Sequence, residues 1–206
     1  KLNLNLSSGF HAPNIDDIAK VFDSEPESVI MPNEDLKPEY AYNVDLGIRK
    51  AFQNKATLKL TGFYTWVKDK MVRRTATFNG KDSIMYDGVL SQVHKVVNAD
   101  NATIYGFNAA FKMRLASHLN LESNFTWIEG EDNNGVPIRH VAPPFGNASL
   151  EYDKNPLRVL LNVRFNGKIS NKDLAPSEQS KTHMYALNEQ GEPYSPAWWT
   201  INLKGT

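Results

Sequence analysis

The chain has 206 residues, and 23 lysine and arginine residues balance 23 aspartate and glutamate residues, so the formal net charge is zero. A neutral chain lacks the basic surface on which nucleic-acid binding depends, and no nucleic-acid partner is predicted. The absence of cysteine excludes a disulfide framework, a thiolate metal site and a cysteine nucleophile. No apolar run approaches the roughly 18 residues of a transmembrane helix, a criterion that leaves a transmembrane β-barrel open.

The first predicted element is a strand, because leucine alternates with asparagine and serine from Leu2 to Ser7. A long excursion follows up to about Pro38. Within it, Asn14 is suited to cap a short helix, and Asp16 and Asp17 put negative charge in the first turn, where the helix dipole favours it. The apolar residues of that helix recur at helical spacing: Ile15, Ile18, Ala19 and Phe22.

The first predicted hairpin has apolar or aromatic side chains at every second position of both arms: Tyr40, Tyr42, Val44, Leu46 and Ile48, then Leu58, Leu60, Tyr64 and Trp66. This alternation is typical of strands with one apolar and one polar face. Pairing Lys50 with Ala56 across a turn at residues 52–55 keeps the apolar set on one face. The aromatic side chains then gather at the end of the hairpin that lies away from the turn.

Between the first and second hairpins the chain is basic and then polar and glycine-rich, which predicts a long irregular loop up to about His94. Its basic residues are Lys68, Lys70, Arg73 and Arg74. The second hairpin follows, and pairing Leu115 with Leu119 sets Lys112 against Glu122 on the polar face. Opposite charges that face each other across two strands support this register.

A third hairpin repeats the pattern, and pairing Tyr152 with Leu157 sets Glu151 against Arg158. After a long polar segment, a final strand carries apolar side chains on one face: Trp199, Ile201 and Leu203. The connections between predicted strands therefore alternate between short and long along the whole chain.

This alternation predicts an all-β fold: an antiparallel up-and-down transmembrane β-barrel fragment of about eight strands, with short turns on one side and long loops on the other. A soluble β-barrel or sandwich that acts as a binding or adhesion module is the alternative, and a small outer-membrane barrel with enzymatic activity is a third. The barrel predicts that a set of leucines points outward, whereas a sandwich would place them in a shared dry core: Leu46, Leu60, Leu121, Leu161 and Leu203. The barrel also predicts that the charge pairs of the second and third hairpins point into the lumen.

Two short motifs flank the first long excursion. The first contains Phe10, His11, Ala12 and Pro13, and the second contains Asn33, Asp35, Leu36, Pro38 and Glu39. They resemble the Phe-Arg-Ala-Pro and Asn-Pro-Asp-Leu-Lys-Pro-Glu boxes of the TonB-dependent outer-membrane receptors. Three later segments resemble that family's motifs in the same order: Val44 to Gly47, Ile104 to Asn108 and Gly135 to Pro144. His11 and Glu34 depart from the family pattern, which usually has arginine and proline there.

The resemblance implies a bacterial outer-membrane receptor with a plugged barrel of about twenty-two strands, which is not an enzyme. Such a receptor imports a scarce ligand, most readily an iron–siderophore complex, with energy from an inner-membrane TonB complex that acts through the plug. On this interpretation, residues 1–206 are part of a single barrel domain, in its C-terminal half, and the plug domain and closing strand are absent from the chain. The implied partners are outer-membrane lipid, the small ligand and the TonB complex, with no cofactor.

Haem receptors of this family carry a ligand histidine between the two boxes. Residues 14–32 contain no histidine, so haem is not supported unless His11 substitutes for it. Siderophore, haem, cobalamin and saccharide therefore stay open as ligand classes.

Five residues are candidate ligand contacts: His11, Arg73, Arg74, Arg139 and His140. Arginine offers a bidentate fork to carboxylate or catecholate oxygens, which suits an anionic iron chelate. Contact with lipopolysaccharide or an ordinary solvated loop is the alternative for each. The acidic segment at residues 129–135 has oxygen ligands for Ca²⁺ but not the EF-hand spacing, so a polar turn is the simpler interpretation. No metal site and no catalytic residue are predicted.

Overall fold

A computed structural model describes residues 1–53, 55–98 and 101–206, apart from the side chain of Ser24. The described part contains one α-helix, α1 (Ile15–Ala19), and a 3₁₀ turn at Asn171–Asp173. Its strands are β1 (Leu2–His11), β2 (Phe22–Glu25), β3 (Ser28–Met31), β4 (Glu39–Phe52), β5 (Ala56–Lys68), β6 (Met71–Thr75), β7 (Ser83–Tyr86), β8 (Val89–Asn98), β9 (Ala102–Ala116), β10 (Leu119–Asp132), β11 (Phe145–Lys154), β12 (Leu157–Asn166), β13 (Ala186–Leu187), β14 (Pro193–Tyr194) and β15 (Trp198–Gly205).

The predicted helix is present but short. The Asn14 side chain accepts a hydrogen bond from the Asp17 backbone N–H at 2.9 Å, which satisfies one of the free donors of the first turn. The helix ends at Ala19, and Phe22 lies in β2 instead of on the helical face. No helix in the described ranges is long and apolar enough to cross a membrane.

Eight of the strands form one sheet in the order β1-β4-β5-β9-β10-β11-β12-β15, in which each strand lies beside the next of these eight along the chain. The short connections span residues 53–55, 117–118 and 155–156, and the long ones span 12–38, 69–101, 133–144 and 167–197. The predicted all-β, up-and-down architecture with short turns and long loops in alternation is confirmed. Asn54, which was predicted in the first turn, lies outside the described residues.

The two faces of this sheet have opposite chemistry. Leu121, Leu150, Leu161 and Leu203 lie directly opposite one another across four neighbouring strands. The adjacent row on the other face is polar throughout: Glu122, Ser149, Asn162 and Asn202. A row of leucine beside a row of polar side chains is the pattern expected for a wall between lipid and water.

The leucines do not share a dry core. Leu203 is 73% exposed, Leu46 49%, Leu60 42% and Leu161 37%, and Leu121 is half-buried. The largest fully buried apolar side chains of the described residues lie elsewhere: Val29, Ile30 and Val93. A sandwich would bury its leucine face between two sheets, so this arrangement rules out the sandwich alternative.

The second hairpin has the predicted register. The Lys112 ammonium lies 2.7 Å from the Glu122 carboxylate, and the Thr126 hydroxyl donates to the Asn108 side chain at 2.7 Å. Both pairs join residues that the predicted register sets face to face.

The third hairpin is displaced by two residues from the predicted register. Lys154 lies opposite Leu157 and Asp153 opposite Arg158, because the turn contains only Asn155 and Pro156. The Arg158 guanidinium still reaches Glu151, now as a diagonal neighbour, and lies 3.8 Å from Asp153. A shift of two residues preserves the face of every side chain, so the apolar and polar faces are as predicted.

The first hairpin is displaced in the same way. The Thr65 hydroxyl donates to the Asn43 side chain at 2.7 Å, and the side-chain direction of Gly47 points at Thr61 Oγ1. These pairs favour a register two residues from the predicted one, because β4 continues to Phe52 and β5 begins at Ala56.

Contacts within the chain define two compact units, of which the first comprises Lys1–Ser7, Asn43–Thr65 and Thr103–Thr206 and the second comprises Ser8–Tyr42 and Trp66–Ala102. The second unit contains a small sheet in the order β2-β3-β8-β6, with β7 also paired to β8. The prediction of an irregular loop up to His94 is therefore wrong. Val29, Ile30 and Val93 are the buried centre of this small sheet.

Candidate functional site

The two family motifs contact each other within the second unit. The rings of Phe10 and Tyr40 lie 6.3 Å apart, and His11 Nδ1 lies 3.6 Å from Glu39 Oε1. The other oxygen of Glu39 accepts the backbone N–H of Met71 at 2.9 Å. The glutamate of the second motif therefore links the first motif to the start of β6. The His11 side chain is otherwise exposed to solvent.

Asn33, the first residue of the second motif, is a buried structural residue. Its side-chain amide donates to the Val96 carbonyl at 2.8 Å, and its own backbone N–H donates to the Asp17 carbonyl at 2.9 Å. Its side-chain oxygen accepts the Asp35 backbone N–H at 3.3 Å. Buried polar groups are stable only when they are hydrogen-bonded. Through its backbone and side-chain hydrogen bonds, Asn33 ties helix α1 to strand β8. The other motif residues are exposed or half-buried: Ala12, Pro13, Asp35, Leu36 and Pro38.

Asn98 has a similar role that sequence reasoning missed. Its side-chain oxygen accepts the Lys37 backbone N–H at 2.8 Å, and its amide donates to the carbonyls of Lys37 at 2.9 Å and Asp69 at 2.7 Å. It therefore joins three segments that are distant in sequence. No local pattern signals such a residue, because its partners are brought to it by the fold.

Replacing Asn98 by alanine should loosen the second unit. Three hydrogen bonds are lost, each contributing roughly 1 kcal/mol, and the backbone groups of Lys37 and Asp69 lose their partners. Hydrogen exchange on the full-length receptor should show faster exchange at residues 33–38 and 68–71. The Asn101→Ala variant, which alters an exposed asparagine nearby, is the control. Equal exchange rates in both variants would contradict the role of Asn98 in holding these three segments together.

Arg73 and Arg74 have different surroundings. The Arg73 guanidinium lies 3.1 Å from Glu25 Oε1, and both side chains are about one-quarter exposed. Arg74 is exposed and lies directly opposite Lys95 on β8. Like charges in facing positions repel, so Arg74 and Lys95 form a small cationic patch, whereas the charge of Arg73 is compensated.

Arg139 and His140 belong to the first unit. Arg139 Nε lies 3.3 Å from Glu178 Oε1, and the Glu178 side chain is only 10% exposed. This ion pair joins connection 133–144 to connection 167–197. Burial and the neighbouring Glu178 carboxylate raise the pKa of the Tyr185 phenol, which keeps Tyr185 protonated.

A cavity of about 400 Å³ lies between these two connections, and His140 is among its lining residues. The remaining polar lining is Glu129, Glu131, Lys168, Asp173, Glu178 and Tyr185. A volume of this size lies within the range of small-molecule sites.

The acidic segment that precedes this connection is a hydrogen-bonded turn. Asp132 Oδ1 accepts the backbone N–H groups of Asn134 at 2.8 Å and Val136 at 3.0 Å. Gly135 has a φ of 72°, a left-handed conformation that glycine adopts without strain. Across the described ranges, no group of three or more histidine, aspartate or glutamate side chains is arranged to hold a metal ion.

The five candidate contacts thus fall into two groups. His11, Arg73 and Arg74 lie in the second unit, whereas Arg139 and His140 lie beside the cavity of the first unit. Their roles as ligand contacts stay a prediction.

A comparison with protein-family models matches residues 1–206 to the family described as "TonB dependent receptor-like, beta-barrel". The chain belongs to this family. TonB-dependent receptors are outer-membrane proteins and not enzymes, which confirms the predicted family, location and absence of enzymatic activity.

Known TonB-dependent receptors resemble the chain in sequence and in fold. The iron-regulated outer membrane virulence protein of Vibrio cholerae is 26% identical over 169 residues, which cover 79% of this chain and 26% of that protein. The siderophore receptor PirA of Acinetobacter baumannii has a TM-score of 0.70 and 21% identity, over 98% of this chain and 32% of that one. A mutant of the ferric enterobactin receptor of Pseudomonas aeruginosa, in complex with enterobactin, has a TM-score of 0.72 and 17% identity, over 100% of this chain and 30% of that one. The chain therefore spans about a quarter to a third of the length of these relatives.

Proposed function

We propose that the chain is part of the barrel wall of a longer TonB-dependent receptor that takes up an iron chelate across the outer membrane. The observation that carries this proposal is the family match over all 206 residues. Iron as the cargo is supported by the name of the Vibrio cholerae relative and by two proteins of similar structure, a siderophore receptor and a ferric enterobactin receptor. Residues 1–206 would then form part of one barrel domain, and the plug would lie elsewhere in the protein.

The partners follow from the two faces of the wall. The leucine face contacts outer-membrane lipid, because its side chains are exposed and apolar over many strands. The long connections contact the chelate, since two of them form the cavity of the first unit. The TonB complex would act through the plug and not through this wall.

The test is iron uptake by the bacterium that carries the full-length gene. An in-frame deletion should abolish the uptake of radioactive iron from at least one ferric chelate, and a plasmid copy should restore it. Uptake should also be lost when the TonB protein is deleted, because energy coupling is required. Unchanged uptake of every ferric chelate tested, together with normal growth under iron limitation, would contradict the proposal.

A further inference from the structure

The cavity between connections 133–144 and 167–197 has a negative polar lining. Four acidic residues are among its lining, Glu129, Glu131, Asp173 and Glu178, and Lys168 is the only lysine or arginine there. Arg139 lies 3.3 Å from Glu178 and compensates its charge, which leaves three carboxylates against Lys168. The pair is partly desolvated, because the Glu178 side chain is nine-tenths buried, so Arg139 is held by this carboxylate and is not available to an incoming anion.

Apart from His140 and Tyr185, the rest of the lining is apolar. It is built from a tryptophan, prolines and aliphatic side chains of both connections and of β10: Trp127, Ile138, Val141, Pro143, Ile169 and Leu174. Leu174 and Ala175 are buried, which shows that this part of connection 167–197 is packed and not free in solvent. A packed apolar floor with a few convergent polar groups is the general form of a small-molecule site.

The charge of a ferric chelate depends on its donor groups. Three catecholate dianions around Fe³⁺ leave a complex with three negative charges, whereas three hydroxamate monoanions give a neutral complex. An added ammonium group makes such a hydroxamate complex cationic. A cavity with an excess of carboxylates repels the first kind and accepts the other two.

We propose that this cavity binds a neutral or cationic ferric chelate of the hydroxamate type and disfavours anionic catecholate chelates. This inference rests on the iron-chelate function proposed above and names the substrate class. The apolar floor contacts the hydrocarbon arms of the chelate, and Glu131 and Glu129 face its positive end. The Arg139–Glu178 pair holds the two connections together before the ligand arrives, which lowers the cost of ordering them.

The experiment measures the binding of three probes to the purified full-length receptor by tryptophan fluorescence and calorimetry. The probes are ferrioxamine B, which carries a free ammonium, ferrichrome, which is neutral, and ferric enterobactin, which is anionic. We expect ferrioxamine B and ferrichrome to bind at least about tenfold more tightly than ferric enterobactin. Glu131→Gln should weaken ferrioxamine B about fivefold, as expected for one partly exposed charge, and should leave ferrichrome unchanged.

The matched control is Glu189→Gln, which alters an exposed carboxylate of connection 167–197 that does not line the cavity. It should change none of the three affinities. If Glu131→Gln fails to fold, Glu129→Gln provides the same test, because glutamine can still accept the hydrogen bond that Tyr105 donates to Glu129 at 3.0 Å. Tighter binding of ferric enterobactin, or equal effects of Glu131→Gln on charged and neutral probes, would overturn this inference alone. Binding of none of the three probes would instead count against the proposed iron-chelate function as well.

Discussion

Replacing Gly106 by alanine is expected to prevent the barrel wall from assembling. A Cβ atom at this position would lie 2.1 Å from the backbone oxygen of Trp127 and 2.9 Å from the Phe63 ring. The first contact is with backbone of the neighbouring strand β10, which cannot move without breaking the sheet. The expected loss of stability is at least about 3 kcal/mol, the upper part of the range for overpacked sites. The physical role of the glycine in the Ile-Tyr-Gly-Phe-Asn segment is thus to let two strands and an aromatic ring approach closely.

The measurement is the fraction of full-length receptor that runs as the compact, heat-modifiable form on electrophoresis after isolation from outer membranes. Gly62→Ala is the matched control, because it is also a strand glycine of the first unit, and the added carbon would have only the Gly106 backbone oxygen, at 3.9 Å, within 4 Å. We expect near-normal folded material for Gly62→Ala and little or none for Gly106→Ala. Equal yields of the two variants would show that Gly106 does not lie in close contact with the backbone of Trp127.

Replacing Leu161 by arginine is expected to destabilise the receptor in a bilayer by about 2–4 kcal/mol, the cost of a charge on the lipid face at mid-depth. Leu161 lies in the leucine row between Leu150 and Leu203. Its neighbour Leu160 lies on the other face, between Glu151 and Lys204.

Leu160→Arg is therefore a control with the same chemical change one residue away. Unfolding by denaturant in lipid vesicles should show a large loss of stability for Leu161→Arg and a small one for Leu160→Arg, whose new charge lies on the polar face between Glu151 and Lys204. A larger loss of stability for Leu160→Arg than for Leu161→Arg would show that the face of Leu160, and not the leucine row, contacts lipid.

The main strands of this fold could be predicted from the sequence because each has a strict period-two pattern. That pattern determines the face of every side chain, but not the register, since a slip of two residues leaves the faces unchanged. Register depends on turn length, and the predicted turns at residues 52–55 and 153–156 were longer than the observed ones. Only the second hairpin, with the short turn at residues 117–118, was placed correctly.

The small sheet of the second unit was missed although the sequence contains its turns. Asp87 and Gly88 have φ values of 50° and 84°, and Asn79 and Gly80 have 51° and 75°. Asp-Gly and Asn-Gly between short apolar runs are the strongest local signals of a hairpin, because both central residues must adopt positive φ. The density of lysine, arginine and glycine in this stretch favours an irregular loop instead.

The partners of the candidate site residues could not be predicted from local sequence. Glu25 pairs with Arg73 across 48 positions, and Glu178 pairs with Arg139 across 39. Neither pairing follows from any periodicity, since both depend on how long connections fold back. These partners compensate the charge of each arginine, whose role as a ligand contact stays a prediction.

The most direct test of the lipid-facing leucine row is a spin-label scan along β12 of the full-length receptor in lipid vesicles. Residues 1–206 contain no cysteine, so single cysteines can be introduced in turn at positions 158–165 without competing labels from this region. The structure predicts that labels at 159, 161 and 163 collide with lipid-soluble oxygen and that labels at 160, 162 and 164 collide with a water-soluble nickel reagent. Labels at 159, 161 and 163 that reach neither reagent would show that the leucine row is packed within the protein, and would contradict a wall that faces lipid.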